Sequence, residues 1–418
     1  MSPSLDALSL LRQRGFVEQI TDEPGLAARL AQEKVVFYAG FDPTAASLHV
    51  GHYIPLMAMA HLARAGHQAI AVLGGGTAMV GDPSGKTEMR QLISAETIAS
   101  NRASIERQVR GIIGSSAMIV DNGEWLLSLN YIAFLREIGR HFSVNRMLSA
   151  EAYKLRLEKG LSFIEFNYQL LQAYDFLALK QRFNCALQIG GDDQWGNILA
   201  GIDLIRRVRQ EEAFGLTFPL LTTAAGTKMG KTAAGAVWLQ PAMTSPHDFF
   251  QYFINVDDRD VVRFLKLLTF EPLEDIQRFE TVEGKELREA KRLLARAVTA
   301  IVHGGEVAEQ QDAAARAAFG EVGLASAGGD AQAGGAALPT LGIPADRLDQ
   351  GARIVDLIAE SGLAPSKSAA RRLVEQGGVR VGERKITSID DVLSAGELGQ
   401  EGTLLHVGKK HIRRLVRT

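Results

Sequence analysis

The chain has 418 residues, with 46 Lys+Arg, 48 Asp+Glu and a formal charge of −2, which points to two or three domains and excludes a uniformly polycationic protein. Cys185 is the single cysteine, so an intrachain disulfide and a cysteine-based zinc site are excluded. No uncharged apolar run approaches the roughly 18 residues of a spanning helix, and the opening MSPSLDALSLLRQRG lacks a signal-peptide pattern, so a cytoplasmic location is expected.

In chain order, continuous apolar runs at 35–41, 69–74, 117–120 and 186–190 read as strands buried on both faces. Amphipathic stretches between them, such as 54–65 and 95–113, read as helices. This alternation predicts an α/β domain on a parallel sheet, whose ligands bind beyond the carboxyl ends of the strands.

Several polar clusters directly follow a predicted strand. The first, YAGFDPTAASLHVGHYIPL, has a turn at Asp42-Pro43-Thr44 and a helix start near His49–His52. Free N–H groups at a helix start attract phosphate, and Gly51 lets a flat base approach the backbone. A metal held by His49 and His52 lacks a third ligand. Two incidental histidines on a strand–turn–helix are the plainer alternative. The second cluster, GGGTAMVGDPSGKTEMR, imitates a P-loop but is one residue short: only three residues separate Gly81 from Gly85-Lys86-Thr87, and Val80 stands where glycine is needed. What remains is a glycine-rich turn followed by Lys86 and Arg90, which face phosphates or are surface charge.

In the third cluster, FNYQLLQAYDF, Tyr168, Gln172 and Asp175 fall at i, i+4 and i+7 of an otherwise apolar helix. Such a stripe faces water or lines a pocket, because buried polar groups need partners. The fourth, QIGGDDQWGN, brings Asp192, Asp193 and Gln194 to a strand end, where a carboxylate suits ribose hydroxyls or caps the next helix. The fifth, AAGTKMGKTAAG, carries Lys228 and Lys231 in a glycine-flanked loop, suited to closing over a phosphate chain or simply exposed.

Beyond about residue 245 the pattern is helical, at 257–269 and 284–302, and an Ala/Gly-rich stretch at 313–338 reads as a linker. Short helices at 354–360 and 368–376 with strands at 378–386 and 403–407 predict a small α+β domain. Residues 351–418 carry 12 Lys+Arg against 8 Asp+Glu, a charge of +4, while the preceding 350 residues carry −6. A basic tail on an acidic body is the pattern of an appended nucleic-acid module, or of a solvated surface.

Jointly the clusters resemble the class I aminoacyl-tRNA synthetases. HVGH is similar to that class's HIGH motif and KMGKT to its KMSKS loop. YAGFDPTA, GDPSGK, LLQAYDF and QIGGDDQWGN resemble the bacterial tyrosyl-tRNA synthetase family in particular, from about Phe37 to the C-terminus and most weakly in the linker. The resemblance implies a Rossmann-like parallel-sheet catalytic domain over 1–235, with a dimer-interface insertion at about 125–163. It further implies a helical domain over 236–320, a linker over 321–350 and a small α+β, S-four-like RNA-binding domain over 351–418.

The implied reaction activates L-tyrosine with ATP, Mg²⁺ riding on the phosphates, and transfers it to the 3′-terminal adenosine of tRNA(Tyr). The implied assembly is a homodimer with no metal held by protein ligands. By the same resemblance, Tyr38 and Asp175 bracket the phenol hydroxyl, while Tyr168, Gln172 and Asp82 hold the α-ammonium and Gln194 meets the carboxylate end. Gly40, Asp42, His52, Gly191 and Asp193 sit beside the adenylate, Asp193 on its ribose. Thr44 and His49 meet the γ-phosphate, and Lys86, Arg90, Lys228, Lys231 and Thr232 bind the departing pyrophosphate. In SKSAARRLVEQGGVRVGERKI, Lys367, Arg371 and Arg372 meet tRNA phosphates, with Lys409, Lys410, Arg413 and Arg414 adding charge.

Two positions depart from the family pattern. Ala39 stands where some relatives carry a cysteine that contacts the ribose, and Gly230 replaces the first serine of the loop motif. A tryptophanyl-tRNA synthetase shares the catalytic plan, but Tyr38 with Asp175 and the basic C-terminal segment favour tyrosine. A non-catalytic RNA-binding paralogue is disfavoured by the intact His49, His52, Lys228 and Lys231.

Overall fold

The computed structural model describes residues 6–84, 93–148, 153, 157, 160–224, 226, 229–232, 235–318, 340–364, 366–399, 402–408 and 411–418, with Lys231, Thr232, Ala317, Ala318 and His411 described by backbone alone. The chain divides into two compact units. One comprises Met1–Thr232, Ala236–Met243 and Val256–Ala290, and the other Ala233–Gly235, Thr244–Asn255 and Lys291–Thr418.

The first unit is built on a six-stranded sheet: β1 (Gln19–Ile20), β2 (Val36–Phe41), β3 (Gln68–Leu73), β4 (Met118–Asp121), β5 (Leu187–Gly191) and β6 (Phe214–Phe218), in the spatial order β1-β6-β5-β2-β3-β4. All neighbours are parallel except β1, which pairs antiparallel on the edge. The chain leaves β2 toward β3 on one side and returns to β5 on the other, which opens a crevice at the carboxyl ends of β2 and β5. Four of these strands match the predicted runs within a residue. β1 and β6 were not predicted: β1 has two residues, and Phe214–Phe218 interrupts its apolar run with Gly215 and Thr217.

The helices follow their local signals. Val50–Arg64 starts with a capping box in which the His49 side chain accepts from the helix backbone and the His52 side chain from the cap N–H. Ser94 caps Ala95–Ile113, and Ser162 with Glu165 forms a capping box on Phe163–Phe183. Phe163–Phe183 buries Tyr168, Ala173, Asp175, Phe176 and Leu179 in a core shared with Tyr38, Ile70 and Trp125. Short helices follow at Gly123–Leu126, Tyr131–Glu137 and Val144–Leu148.

In the second unit a five-stranded sheet gathers β7 (Thr340–Ile343), β8 (Val379–Val381), β9 (Arg384–Ile386), β10 (Thr403–Val407) and β11 (His411–Arg417), in the spatial order β9-β8-β10-β11-β7. The helices Ile354–Glu360 and Lys367–Glu375 contribute Leu357, Ile358, Ala370 and Val374 to its core. One boundary needs correction. The linker expected over 321–350 ends sooner, because Thr340–Ile343 pairs parallel with β11 and Ala345–Asp349 is helical. Backbone pairing, to which composition is nearly blind, draws this segment into the sheet. The expected linker at 321–339 lies outside the described residues.

Candidate active site at the strand tips

Tyr38 and Gly40 alternate onto one face of β2. The Tyr38 ring packs on Phe176 at 5.2 Å, and its buried hydroxyl has no hydrogen-bond partner among the described residues. A Cβ at Gly40 would meet no atom within 4 Å, so the strand tip beyond Tyr38 is open. Burial, followed by the nearby Asp175 charge, pushes the Tyr38 hydroxyl well above its ordinary value.

Asp175 is itself buried, and burial raises its carboxyl to about 7. Two neutral donors pull the other way: Asn122 Nδ2 at 2.9 Å and Trp125 Nε1 at 2.7 Å. From Asp175 the hydrogen bonds run outward. Asn122 Nδ2 also donates to Thr77 Oγ1 at 2.9 Å, Thr77 donates to Asp42 at 2.7 Å, and Tyr168 donates to the other Asp42 oxygen at 2.9 Å. Burial first, and then Asp42, raises the Tyr168 hydroxyl well above its ordinary value. Tyr168 and Asp175 are therefore buried and hydrogen-bonded rather than facing water.

A second polar group adjoins the first. Gln194 Nε2 donates to Asp82 at 2.8 Å, and Asp82 accepts from Ser84 N at 2.9 Å. Asn197 Nδ2 reaches Gln172 at 2.9 Å, Gln194 at 3.1 Å and Ser84 at 3.3 Å. Asp82, Gln172 and Gln194 thus converge from three separate segments on one locus. Asp192 accepts from Gln19 and Thr217 and ties β5 to the sheet edge, which leaves Asp193 as the carboxylate at the strand end. The N-cap positions here, Gly191 and Gln194, carry no side-chain cap bond. The Asp193 carboxylate folds beside Gly191, where a Cβ would stand 2.7 Å from it.

The paired histidines fix their own tautomers. His49 Nδ1 accepts from Gly51 N at 3.0 Å and His52 Nδ1 from His49 N at 3.3 Å. In each neutral ring the N–H is then on Nε2. The rings lie 4.0 Å apart, and His49 meets Trp238 edge-on at 5.9 Å. The two-lysine loop begins against this helix start. Met229 is buried, Gly230 O accepts from Val237 N at 2.8 Å, and Val50 donates to Val237 O at 2.9 Å. Gly230 has φ +80°, and a Cβ there would stand 3.2 Å from Val50 Cβ. The missing serine is therefore a backbone requirement of this loop. Lys86, Arg90 and Lys228 lie outside the described residues, as do the side chains of Lys231 and Thr232. Thr44 donates its N–H to Asp42 O at 2.8 Å in the turn after β2.

The glycine-rich turn after β3 has a different use from that of a P-loop. Gly75 N donates to Asp121 at 3.1 Å and Gly76 N to Asn122 at 2.8 Å. These amides are occupied by the protein's own side chains, and a Cβ at Gly74 would strike Asp42. Thr77, Asn122, Trp125 and Asn197 were missed by sequence reasoning; apart from the i, i+3 relation of Gln194 and Asn197, no local spacing links them to the residues they hold.

On the C-terminal sheet, Arg371 and Arg372 are exposed on Lys367–Glu375, while Lys367 pairs with Asp356 at 2.8 Å. Lys409 and Lys410 lie outside the described residues. Arg413, expected to add charge here, is largely covered and is held by Ser361 O and Asp248. No group of three or more metal-ligating side chains occurs among the described residues, and no described helix is long and apolar enough to cross a membrane.

Residues 30–320 match the family model for class I tRNA synthetases (W and Y), and 352–398 match the S4 domain. A tyrosine–tRNA ligase from Clostridium botulinum (strain 657 / Type Ba4) is 49% identical over 415 residues, 99% of each chain. A C-terminally truncated mitochondrial tyrosyl-tRNA synthetase from Aspergillus nidulans superposes with TM-score 0.68 at 28% identity, over 76% of this chain and 95% of that one. A tryptophanyl-tRNA synthetase from Encephalitozoon cuniculi, bound to tryptophan, shares the fold alone. Its TM-score is 0.55 at 13% identity, over 72% of this chain and 87% of that one.

Proposed function

Because the chain belongs to the class I tRNA synthetases of the tryptophan and tyrosine group, we propose a residue-by-residue account of how its strand-tip site works as a tyrosine–tRNA ligase. The enzyme activates L-tyrosine with ATP and transfers it to tRNA. The observation that carries the tyrosine reading is the buried Tyr38 hydroxyl without a partner beside the buried Asp175 carboxylate. A phenol hydroxyl entering there gives the Tyr38 hydroxyl a partner and the Asp175 carboxylate a third donor, whereas an unsubstituted ring leaves Tyr38 unpaired and Asp175 one donor short. Asp82, Tyr168 and Gln172 hold the α-ammonium, and Gln194 orients the carboxylate.

That carboxylate attacks the α-phosphorus of ATP in line, forming the mixed anhydride and releasing pyrophosphate. The step needs alignment and neutralisation of growing negative charge rather than a covalent enzyme intermediate. The open strand tip at Gly40, next to Gly191 on the neighbouring strand, takes the adenosine, with Asp193 on its ribose and Asp42 beside the adenylate. The Nε2–H groups of His49 and His52 point donors at the phosphates, and Thr44 adds a hydroxyl. Lys86, Arg90, Lys228, Lys231 and Thr232 hold the pyrophosphate, with Mg²⁺ arriving as part of the ATP substrate. In the second step the 2′-OH of the terminal adenosine attacks the anhydride carbonyl and AMP leaves.

Arg371, Arg372 and Lys367, with Lys409 and Lys410, bind tRNA phosphates. The exposed apolar side chains Leu127, Tyr131, Ile132, Val144, Leu157 and Phe163 form the surface of a homodimer. Trp125, at the edge of the same segment, instead belongs to the pocket. A cytoplasmic location fits this reaction. Pyrophosphate exchange tested with each of the twenty amino acids is expected to respond to tyrosine; exchange driven by tryptophan, or by none, contradicts the reading. A monomer in sedimentation at micromolar concentration contradicts the dimer.

A further inference from the structure

One cation of the C-terminal sheet, Arg413, is largely covered. Arg413 lies on β11 opposite Leu405 of β10, and its side chain is 13% exposed, against 62% for Lys367. Its Nε donates to Ser361 O at 3.2 Å and its Nη1 to Ile412 O at 3.1 Å. Its Nη2 lies 3.4 Å from each oxygen of Asp248. Asp248 is in the first turn of the helix Pro246–Ile254, where Ser245 Oγ donates to its carboxylate at 2.7 Å and accepts from its N–H at 3.1 Å. All these residues belong to the second compact unit. One guanidinium therefore joins a helix start, the turn after Ile354–Glu360 and a strand of the sheet, with 165 positions of chain between it and Asp248.

We infer that Arg413 is a positioning residue: paired with Asp248, it seats the RNA-binding sheet on the Pro246–Ile254 helix so that the exposed cations meet tRNA in register, and it does not itself contact phosphate. The inference rests on the tRNA-ligase reading. All three guanidinium nitrogens already have acceptors, and RNA would have to displace a carboxylate in a largely covered position. Removing either partner strips the other of its counter-charge, so both truncations act in the same direction. A phosphate contact makes the opposite demand on Asp248. Deleting a carboxylate that repels RNA and competes for the guanidinium would leave tRNA affinity unchanged or improve it.

The test uses the full chain and compares Arg413→Ala, Arg413→Lys, Asp248→Asn and the Arg413→Ala/Asp248→Asn double variant. Thermal melting checks that each folds. Three quantities are read: tyrosine-dependent pyrophosphate exchange without tRNA, KM for tRNA in charging, and the salt dependence of tRNA binding. The expected result is a rise in tRNA KM of about five- to ten-fold for Arg413→Ala and for Asp248→Asn, with exchange and salt slope unchanged. The double variant is no worse than the poorer single variant. Arg413→Lys weakens in the same direction, because a point charge does not reproduce the forked contacts. The inference is overturned if Asp248→Asn leaves or lowers KM while Arg413→Ala raises it and reduces the salt slope by about one. It is equally overturned if neither substitution moves KM. Failure of the unsubstituted protein to perform exchange would instead count against the enzymatic reading itself.

Discussion

The phenol end of the pocket and the basic face of the C-terminal sheet handle polar groups in opposite ways. Around Asp175 the donors Asn122 and Trp125 are buried, and the carboxylate they hold is joined through buried Thr77 to half-buried Asp42 and to Tyr168. On the helix Lys367–Glu375 the arginines stand in water. A buried, mutually constrained network makes each missing partner costly, which gives discrimination. Solvated cations give affinity that is screened by salt and divided among many contacts. On the proposed assignment, the enzyme selects its amino acid at a largely buried site and holds its nucleic acid on a solvated one.

The largest effect that would sharpen this contrast is at the buried end. Asp175→Ala removes the acceptor of Trp125 Nε1, one of the two acceptors of Asn122 Nδ2 and the carboxylate that the substrate phenol would meet. It is expected to lower kcat/KM for tyrosine in pyrophosphate exchange by about 10³-fold. Exchange kinetics within ten-fold of the parent would break the comparison. Gly230→Ala comes next. It forces a side chain into a left-handed backbone position beside Val50, and about a ten-fold loss of exchange kcat is expected, with little change in KM for tyrosine.

pH provides a finer probe. Burial raises the Asp175 carboxyl to about 7, while the Asn122 and Trp125 donors oppose that rise. An ionised carboxylate accepts the phenol proton, so kcat/KM for tyrosine is expected to fall as pH drops through about 7. Trp125→Phe removes one stabilising donor and moves that limb upward in pH. A limb that stays put or moves downward would show that Trp125 does not hold the carboxylate. The smallest effect belongs to the solvated face. Arg371→Ala or Arg372→Ala is expected to raise tRNA KM only about three-fold, reduce the salt slope by about one and leave exchange untouched. A loss confined to exchange would reverse the assignment of the two regions.

What the sequence disclosed follows the range of the interactions. The helix 95–113 was legible to the residue because Ser94 and Gly114 punctuate an amphipathic run. The Tyr168–Asp175 stripe was visible because helical spacing is local. Its burial was not, because that depends on β2 and the Gly123–Leu126 turn closing over it. Asn122, Thr77 and Asn197 are ordinary polar residues until the sheet brings them together from distant segments. Thr340–Ile343 escaped notice for the same reason: its partner strand lies at the far end of the chain. Arg413 counted as one cation among several in the charge tally, and only its covered contacts set it apart.

The most direct measurement is the ratio of kcat/KM for tyrosine over phenylalanine in pyrophosphate exchange, for the parent protein and for Tyr38→Phe. The account expects the parent to favour tyrosine by roughly 30-fold to 10⁴-fold, from a buried Tyr38 hydroxyl left without a partner and a buried Asp175 carboxylate left one donor short, at about 1–3 kcal/mol each. It expects Tyr38→Phe to lose a large part of that preference, chiefly through weaker tyrosine binding. An unchanged ratio in Tyr38→Phe would contradict it.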